Sequence, residues 1–163
     1  MDKAALLAFL LVASRRGYAA GRSAVKVREA DGSTTIVYDH GDWRFHDNYF
    51  GGEPYGGREV VFLGGWPVWV AVYFWVAVYY RWVEGVDVDA ERVYLFLQRA
   101  LREAPAEFPV RGPDEFSAGP STYRSAHEGG VANFSGEETI HEGGRRIYTA
   151  RYLGGLVDRR AGD

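Results

Sequence analysis

The longest apolar stretch of the chain is residues 66–83, WPVWVAVYFWVAVYYRWV, directly after Gly64 and Gly65. A run of about eighteen apolar residues is long enough for a transmembrane helix. However, the stretch is rich in Val and aromatic residues, which favour a pleated strand, and Pro67 suits the start of a strand after a tight turn. Hydropathy alone therefore leaves two interpretations, a membrane helix or a buried strand.

An internal repeat favours the strand. Residues 55–73 align without a gap onto residues 134–152, and Gly64-Gly65 coincides with Gly143-Gly144. The second copy is too polar to cross a bilayer and predicts two short strands joined by a two-residue glycine turn. If the copies share a structure, residues 66–83 form a core strand.

The repeat also predicts which side of each hairpin faces inward. One face keeps its aromatic and alanine character in both copies: Trp69, Ala71 and Tyr73 in the first, and Tyr148, Ala150 and Tyr152 in the second. Because side chains alternate along a strand, these residues share one side of it. We expect this aromatic/Ala face to line the core or a cavity. The opposite side is aliphatic in the first copy and partly polar in the second.

Two helices are predicted from capping residues and helical spacing. Residues 2–16 begin at Asp2 and end before Gly17, and residues 89–103 begin after Asp87 or Asp89. The predicted buried stripes are Leu6, Phe9, Leu10 and Ala13 in the first helix, and Val93, Phe96, Leu97, Ala100 and Leu101 in the second. The apolar run 4–13 resembles a signal peptide, but its one-sided pattern favours an amphipathic helix in a cytoplasmic protein.

Turn signals divide the remaining chain into hairpins and connections. The predicted segments are strands 23–30 and 33–39 around Asp31-Gly32, a strand 43–49, a loop 50–57, a hairpin 58–80, a connection 108–121, a strand 122–126 and a hairpin 137–153. Runs of hairpins indicate an α+β fold in a single domain, 1–163. We predict a curved antiparallel sheet of about eight or nine strands with two helices on one face. The repeat predicts an internal duplication, with copies near 2–80 and 89–155.

Composition narrows the possible functions. The net charge of −3 provides no general electrostatic case for nucleic-acid binding. The absence of cysteine excludes disulfides, thiol catalysis and zinc-thiolate sites. The aromatic content of 15% is high, which indicates either a well-filled core or an aromatic pocket.

Five blocks of the chain resemble a known family. They are FLLVASRRGYAAG, YDHGDWRFHDNYFGG, GREVVFLGGWPVWVAVY, FPVRGP and ANFSGEETIHEGGRRIYTARYLGG, in this order over nearly the whole chain. They are similar to an uncharacterised prokaryotic domain of unknown function, found alone or behind a Cro-repressor-type helix-turn-helix. The resemblance implies a regulatory, sensor-like role in some relatives and brings no catalytic residues. This chain departs from it in its long strand after Trp69 and in having no helix-turn-helix segment.

Histidines provide no convincing metal site. His40, His46, His127 and His141 each have an acidic neighbour in the sequence. Adjacent residues on a strand point to opposite faces, so such a pair does not chelate an ion, and no helical metal-binding spacing occurs. We predict no metal and no cofactor.

Two glutamates occupy equivalent positions in the repeat. In a plain two-residue-turn register, Glu59 and Glu138 face the aliphatic side of their hairpins, opposite Val70 and Thr149. A carboxyl group among apolar residues can have a raised pKa and act as an acid or base. Alternatively, each glutamate binds a loop amide or an arginine, such as Glu138 with Arg151.

The remaining candidate site residues are aromatic or basic. They could line a pocket for a small molecule, with Glu59 and Glu138, or they could be core residues: Tyr18, Tyr49, Trp69, Tyr73, Arg111 and Tyr148. Arg111 could bind an anionic ligand or hold its loop to the sheet. No catalytic triad or phosphate-binding loop is present, and no catalytic residue is predicted.

Three functions remain compatible with the sequence. The first is a small-molecule-binding or sensor-like domain, which needs a sizeable apolar cavity near Trp69, Tyr73 and Tyr148. The second is a homo-oligomer that pairs through the apolar side of residues 68–83, with Val76, Val78 or Tyr80 exposed in a monomer. The third is a hydrolase-like enzyme that uses a strand carboxylate. We expect a soluble protein that binds neither nucleic acid nor membrane.

Overall fold

A computed structural model of the chain describes residues 1–52, 54–76 and 89–158, except for the side chains of Arg22 and Val76. Within these residues, nine strands form one antiparallel sheet: β1 (Lys26–Arg28), β2 (Thr34–His40), β3 (Trp43–Gly51), β4 (Tyr55–Leu63), β5 (Trp66–Val76), β6 (Glu115–Ala118), β7 (Ser121–Gly130), β8 (Asn133–Glu142) and β9 (Arg145–Leu156). Their order across the sheet is β1-β2-β3-β4-β5-β9-β8-β7-β6. The central pair is therefore β5 with β9.

Two α-helices accompany the sheet, α1 (Lys3–Arg16) and α2 (Ala90–Arg102), and a 3₁₀ helix (Tyr18–Ser23) follows α1. Asp2 caps α1 through its side chain, as predicted, and Asp89, one of the two candidates for the second cap, caps α2. Both predicted buried stripes are also confirmed. Local sequence signals were sufficient for the helices because capping and one-sided burial repeat within a few turns.

The core comprises two clusters. The first joins α1 residues such as Leu6 and Leu10 to Phe45 and Trp69. The second joins α2 residues such as Phe96 and Leu97 to sheet residues, among them Trp75, Ile140, Tyr148 and Ala150. The inward orientation predicted for the aromatic/Ala face is confirmed by the burial of Trp69, Ala71, Tyr148, Ala150 and Tyr152 and by the partial burial of Tyr73.

Residues 66–76 form strand β5, so the helical interpretation of this stretch is wrong for the part that the structure describes. The predicted continuation of the strand to residue 83 lies outside the described residues. Gly64 and Gly65 form the turn with φ of 58° and 83°, and Gly143 and Gly144 form the equivalent turn with 55° and 80°. These positive φ values suit glycine and match the two-residue turns that were predicted.

Several boundary predictions were wrong, including the strand 122–126, which is β7 (Ser121–Gly130), and the hairpin 137–153, which spans β8 and β9 (Asn133–Glu142 and Arg145–Leu156). Residues 50–57 were predicted as a loop, but β3 extends to Gly51 and β4 starts at Tyr55. Strand β6 lies inside the predicted connection 108–121. The first hairpin also has a shorter leading strand than predicted, because β1 covers only Lys26–Arg28. Short edge strands carry little periodic signal, so their limits depend on pairing with a neighbouring strand.

Both hairpins contain an irregularity that changes which residues face the core. The register shifts between Val61 and Phe62 in β4–β5, and between Ile140 and His141 in β8–β9. An extra residue in one strand of a pair alters the pairing beyond that point by one position. As a result, Glu59 pairs with Ala71 and Glu138 with Ala150, on the aromatic/Ala face. The prediction that they face Val70 and Thr149 was therefore wrong.

Candidate functional site

A buried ion pair lies at the centre of the second core cluster. Glu138 is 0% exposed and accepts hydrogen bonds from the guanidinium group of Arg111, through both Nε (2.9 Å) and Nη2. The hydroxyls of Tyr123 and Tyr148 also donate to Glu138, at 2.7 and 2.6 Å. Four donors thus surround one carboxylate, the arrangement that makes burial of a charge tolerable.

Arg111 therefore anchors its loop to the sheet, one of the two roles predicted for it. Its segment connects α2 to β6, and the neighbouring Gly112 N–H donates to the hydroxyl of Tyr123. The predicted partner Arg151 instead pairs with Glu137 on the exposed side of the sheet. The pair of Glu138 with Arg151 was wrong because the bulge places Glu138 on the opposite face.

Glu59 occupies the equivalent position on β4 but has no such partners. It pairs across the strands with Asp47 of β3 and Ala71 of β5. Asp47 is 1% exposed and accepts a hydrogen bond of 2.6 Å from Tyr73, whereas Glu59 makes no hydrogen bond or ion pair with the described residues. Two acidic side chains therefore lie side by side without a paired arginine or lysine.

The difference between the two glutamates comes from the rows of residues beside them. In one row, Tyr123, Ile140 and Tyr148 lie across β7, β8 and β9. In the equivalent row, Phe45, Val61 and Trp69 lie across β3, β4 and β5. Phenylalanine has no donor, and the Trp69 indole N–H donates to the carbonyl of Val131, so neither replaces a tyrosine hydroxyl.

This environment changes proton binding at the acidic pair. Burial raises the pKa of Glu59, and the negative charge of Asp47 raises it further. Burial also raises the pKa of Asp47, although the hydrogen bond from Tyr73 partly offsets this effect. The positive charge of Arg111 lowers the pKa of both groups and partly offsets these effects.

A narrow cavity lies beside Glu59. It has a volume of about 20 Å³, and its walls include Phe45, Glu59, Arg111 and Tyr18. This space is sufficient for a single water molecule between polar groups. Glu59 thus borders a small cavity whose walls are mainly apolar but also include Arg111 and Tyr18.

A larger cleft lies on the other side of Tyr18. It has a volume of about 290 Å³, and five partly buried tyrosines line it: Tyr18, Tyr49, Tyr55, Tyr73 and Tyr94. We call it the tyrosine cleft. Tyr55 is central, since its ring centroid lies 6.4 Å from Tyr18, 6.2 Å from Tyr49, 6.0 Å from Tyr73 and 6.1 Å from Tyr94. Lys26, Arg28 and Gln98 complete its wall.

Tyr73 connects the cleft to the acidic pair. Its ring lines the cleft, and its hydroxyl reaches Asp47 by crossing over Gly57. A Cβ atom on Gly57 would lie 2.6 Å from that hydroxyl oxygen, so only glycine allows the approach. The charge on Asp47 and Glu59 therefore lies directly behind one tyrosine of the cleft.

The eight predicted binding residues separate into four groups. Tyr18, Tyr49 and Tyr73 line the tyrosine cleft. Arg111, Glu138 and Tyr148 form the hydrogen-bonded ion-pair cluster, and Glu59 lies beside Asp47. Trp69 belongs to the packed core. Trp69 and Tyr148 are both 0% exposed, so they form no wall of the expected apolar cavity. The opening lies at the tyrosines instead.

Sequence reasoning missed Asp47, Tyr55, Tyr94, Lys26 and Arg28. Asp47 had a usable signal, because strand alternation places it on the same face as Phe45 and Tyr49 in the predicted strand 43–49. Tyr55 was the first residue of the aligned repeat. Tyr94 and the two β1 cations had no signal, since they join the cleft only through tertiary packing.

The histidines lie apart from this site. His127 stacks on Phe108 with ring centroids 3.7 Å apart, and His40 is exposed. Among residues 1–52, 54–76 and 89–158, no group of three or more histidine or acidic side chains is placed to hold a metal ion. Within the same residues, no helix has the length and apolar character needed to cross a membrane.

Residues 47–157 match the family described as Domain of unknown function (DUF5680), and the chain belongs to that family. The matched region begins at Asp47 and includes Glu59, Arg111 and Glu138, whereas Tyr18, Lys26 and Arg28 precede it. No significant match was found to a curated protein or to a solved structure.

Proposed function

We propose that this protein is a small-molecule-binding domain whose ligand occupies the tyrosine cleft. The observation that carries the proposal is the convergence of five tyrosines from the 3₁₀ helix, β3, β4, β5 and α2 around an opening of about 290 Å³. Ligand sites combine apolar and aromatic walls with a few polar groups, and this cleft has both. The hydroxyl of Tyr94 in α2 donates a hydrogen bond to the carbonyl oxygen of Gly52, which follows β3. A sensor-like role follows if ligand binding alters this contact between α2 and the sheet.

A larger depression elsewhere is a weaker candidate. It has a volume of about 540 Å³ and lies beside β2 and β3, where its walls include Asp39 and Arg44. These two side chains are 53% and 59% exposed and pair with each other. These oppositely charged side chains bind each other, and two large aromatic side chains, Trp43 and Phe62, line the depression, against five in the tyrosine cleft.

Native mass spectrometry of the purified chain tests the proposal. We expect a co-purifying small mass that is lost under denaturing conditions. Gln98→Trp fills the cleft from α2 and should abolish the adduct, whereas Leu95→Trp places the same side chain at an exposed position of the same helix and should retain it. A chain without an adduct, or one whose adduct survives Gln98→Trp, contradicts the proposal.

A homo-oligomer is the second candidate, because the sheet has an exposed apolar patch. Val72, Phe74 and Leu153 are 42%, 57% and 57% exposed on the neighbouring strands β5 and β9. Patches of this kind commonly mark interfaces. Val76, Val78 and Tyr80, which were expected to extend the patch, lie outside the described side chains. Light scattering should detect a dimer of the wild-type protein, and the substitution Leu153→Glu should dissociate it. A wild-type protein that is monomeric contradicts this role.

We further propose that the two hairpins descend from one ancestral unit and that both helices cover the same face of the sheet. Support for the common origin comes from the equal registers of β4–β5 and β8–β9, which share both the turn and the position of the register shift.

A hydrolase role has less support, since Glu138 is fully occupied by four donors. A regulatory partner and a cytoplasmic location remain predictions.

A further inference from the structure

The acidic pair beneath the tyrosine cleft lacks a cation of its own. In the described chain, neither Asp47 nor Glu59 forms an ion pair. The guanidinium group of Arg111 lines the same small cavity as Glu59 and lowers the pKa of both acidic groups by its charge, but its hydrogen bonds go to Glu138 through Nε and Nη2. A buried carboxylate without a paired cation either takes up a proton or attracts a cation from outside.

The cleft provides a surface that a cation can occupy. Aromatic faces attract an ammonium group within about 6 Å of the ring centroid, and several rings together recognise methylated ammonium groups. Tyr55 has four other tyrosine rings at centroid distances of 6.0–6.4 Å, so the five rings pack together and form one aromatic wall of the cleft. Tyr73, one of these four, also contacts Asp47. An ammonium group in the cleft therefore lies near both the rings and the negative charge behind them.

The rim of the cleft has the opposite charge. Lys26 and Arg28 lie on the edge strand β1 and are exposed, and no acidic side chain is among the described residues that line the cleft. A simple cation would be repelled by this rim. A simple anion would suit the rim but would approach the acidic pair as it moved deeper.

We propose that the tyrosine cleft binds a zwitterionic small molecule, with its ammonium group against the tyrosines above Asp47 and Glu59 and its anionic group at Lys26 and Arg28. The inference rests on the proposed function, because it names the ligand class of the same cleft. The volume of about 290 Å³ is close to the lower end of the range of small-molecule pockets, ~300–1,000 Å³. A trimethylammonium carboxylate meets both the charge and the size requirements.

The charges around the pair determine how binding depends on pH. Asp47 and Glu59 are adjacent, Tyr73 donates to Asp47, and Arg111 with Glu138 forms a closed ion pair nearby. Lys26 acts on Asp47 from the rim. A bound ammonium group favours the deprotonated pair, so affinity should rise as pH rises through the titration of Glu59, and binding should release a proton.

Isothermal titration calorimetry with the full chain and glycine betaine tests this inference. The matched probes are 3,3-dimethylbutanoate, in which carbon replaces the charged nitrogen, and tetramethylammonium, which lacks the carboxylate. We expect glycine betaine to bind at least tenfold more tightly than either probe, and more tightly at pH 9 than at pH 6. Equal binding of glycine betaine and 3,3-dimethylbutanoate, or no binding of either, overturns the inference.

Two variants separate the charges of the site. The double substitution Asp47→Asn and Glu59→Gln should weaken glycine betaine binding at least fivefold and remove its pH dependence, while thermal unfolding verifies the fold. The double substitution Lys26→Gln and Arg28→Gln, at exposed positions, should weaken the binding of glycine betaine but not the binding of tetramethylammonium. Unchanged affinity in either variant overturns the inference.

Failure of the zwitterion inference can be distinguished from failure of the proposed function. If the native mass spectrum contains an adduct that Gln98→Trp removes, while glycine betaine fails to bind, then the cleft binds ligands of another class. In that case the zwitterion inference is wrong and the proposed function stands. If neither an adduct nor glycine betaine binding is found, both are contradicted.

Discussion

Glu59 and Glu138 occupy the same register position in two hairpins, opposite Ala71 and Ala150, yet within the described part of the chain only Glu138 has hydrogen-bonding partners. On the two strands beside Glu138, the nearby row of residues contains Tyr123 and Tyr148. The equivalent row beside Glu59 contains Phe45 and Trp69 instead. One hairpin therefore contains a structural ion pair, and the other contains an acidic pair, Asp47 and Glu59, with a raised pKa.

The raised pKa of Glu59 predicts that stability falls with increasing pH. The folded protein retains the Glu59 proton up to about pH 8, whereas the unfolded chain releases it near the ordinary value of 4.5. The contribution of protonated Glu59 to the free energy of unfolding is therefore complete below the pKa that Glu59 has in the unfolded chain. It is lost as the pH rises through the pKa that Glu59 has in the folded protein. Urea denaturation at pH 5, 7 and 9 should give a decline that Glu59→Gln reduces. Glu128→Gln, at an exposed strand position, should leave it unchanged; an equal decline in all three proteins contradicts this prediction.

A donor can be supplied to Glu59 by the substitution Phe45→Tyr. Phe45 holds the position that Tyr123 holds beside Glu138, and it borders the cavity of about 20 Å³ next to Glu59. The new hydroxyl fills this space and donates to the carboxylate, so we expect a lower pKa for Glu59 and about 1 kcal/mol more stability at pH 9. Carbon-13 NMR titration of the glutamate carboxyls measures the pKa. A destabilised protein with an unchanged Glu59 titration contradicts the expectation.

The Arg111–Glu138 pair should be costly to break from one side. Arg111→Met leaves Glu138 buried without its cation, which we expect to lower the free energy of unfolding by about 3–5 kcal/mol. The double variant with Glu138→Gln should recover part of this loss. Arg151→Met is the control, because it removes an exposed pair with Glu137 and should cost less than about 1 kcal/mol. Equal losses in the buried and exposed pairs would falsify this account.

Two strand glycines should resist substitution by alanine. A Cβ atom would lie 2.6 Å from the Tyr73 hydroxyl at Gly57, and 2.5 Å from the Tyr152 ring and hydroxyl at Gly136. Gly57→Ala and Gly136→Ala should each destabilise the fold by about 1–3 kcal/mol, the usual cost of overpacking. Gly130→Ala serves as the control, because no atom lies within 4 Å of its Cβ position. If thermal unfolding shows that Gly130→Ala loses as much stability as the other two variants, the prediction is contradicted.

Interactions that repeat along the chain were predictable from the sequence alone. The two α-helices, their capping residues Asp2 and Asp89, the glycine turns and the inward aromatic/Ala face all follow from patterns within about fifteen residues. An antiparallel sheet with two helices follows from the order of these elements. The physical reason is that capping, turn geometry and one-sided burial act between residues that are close in sequence.

Tertiary structure alone decided the site. A bulge between Val61 and Phe62 moves Glu59 onto the core face, although the composition of the strand is the same with or without it. Arg111 and Glu138 are 27 residues apart, and the tyrosines of the cleft come from five elements. Such contacts depend on which strands pair and where the helices pack. Those outcomes minimise the free energy of the whole chain, so no local pattern specifies them.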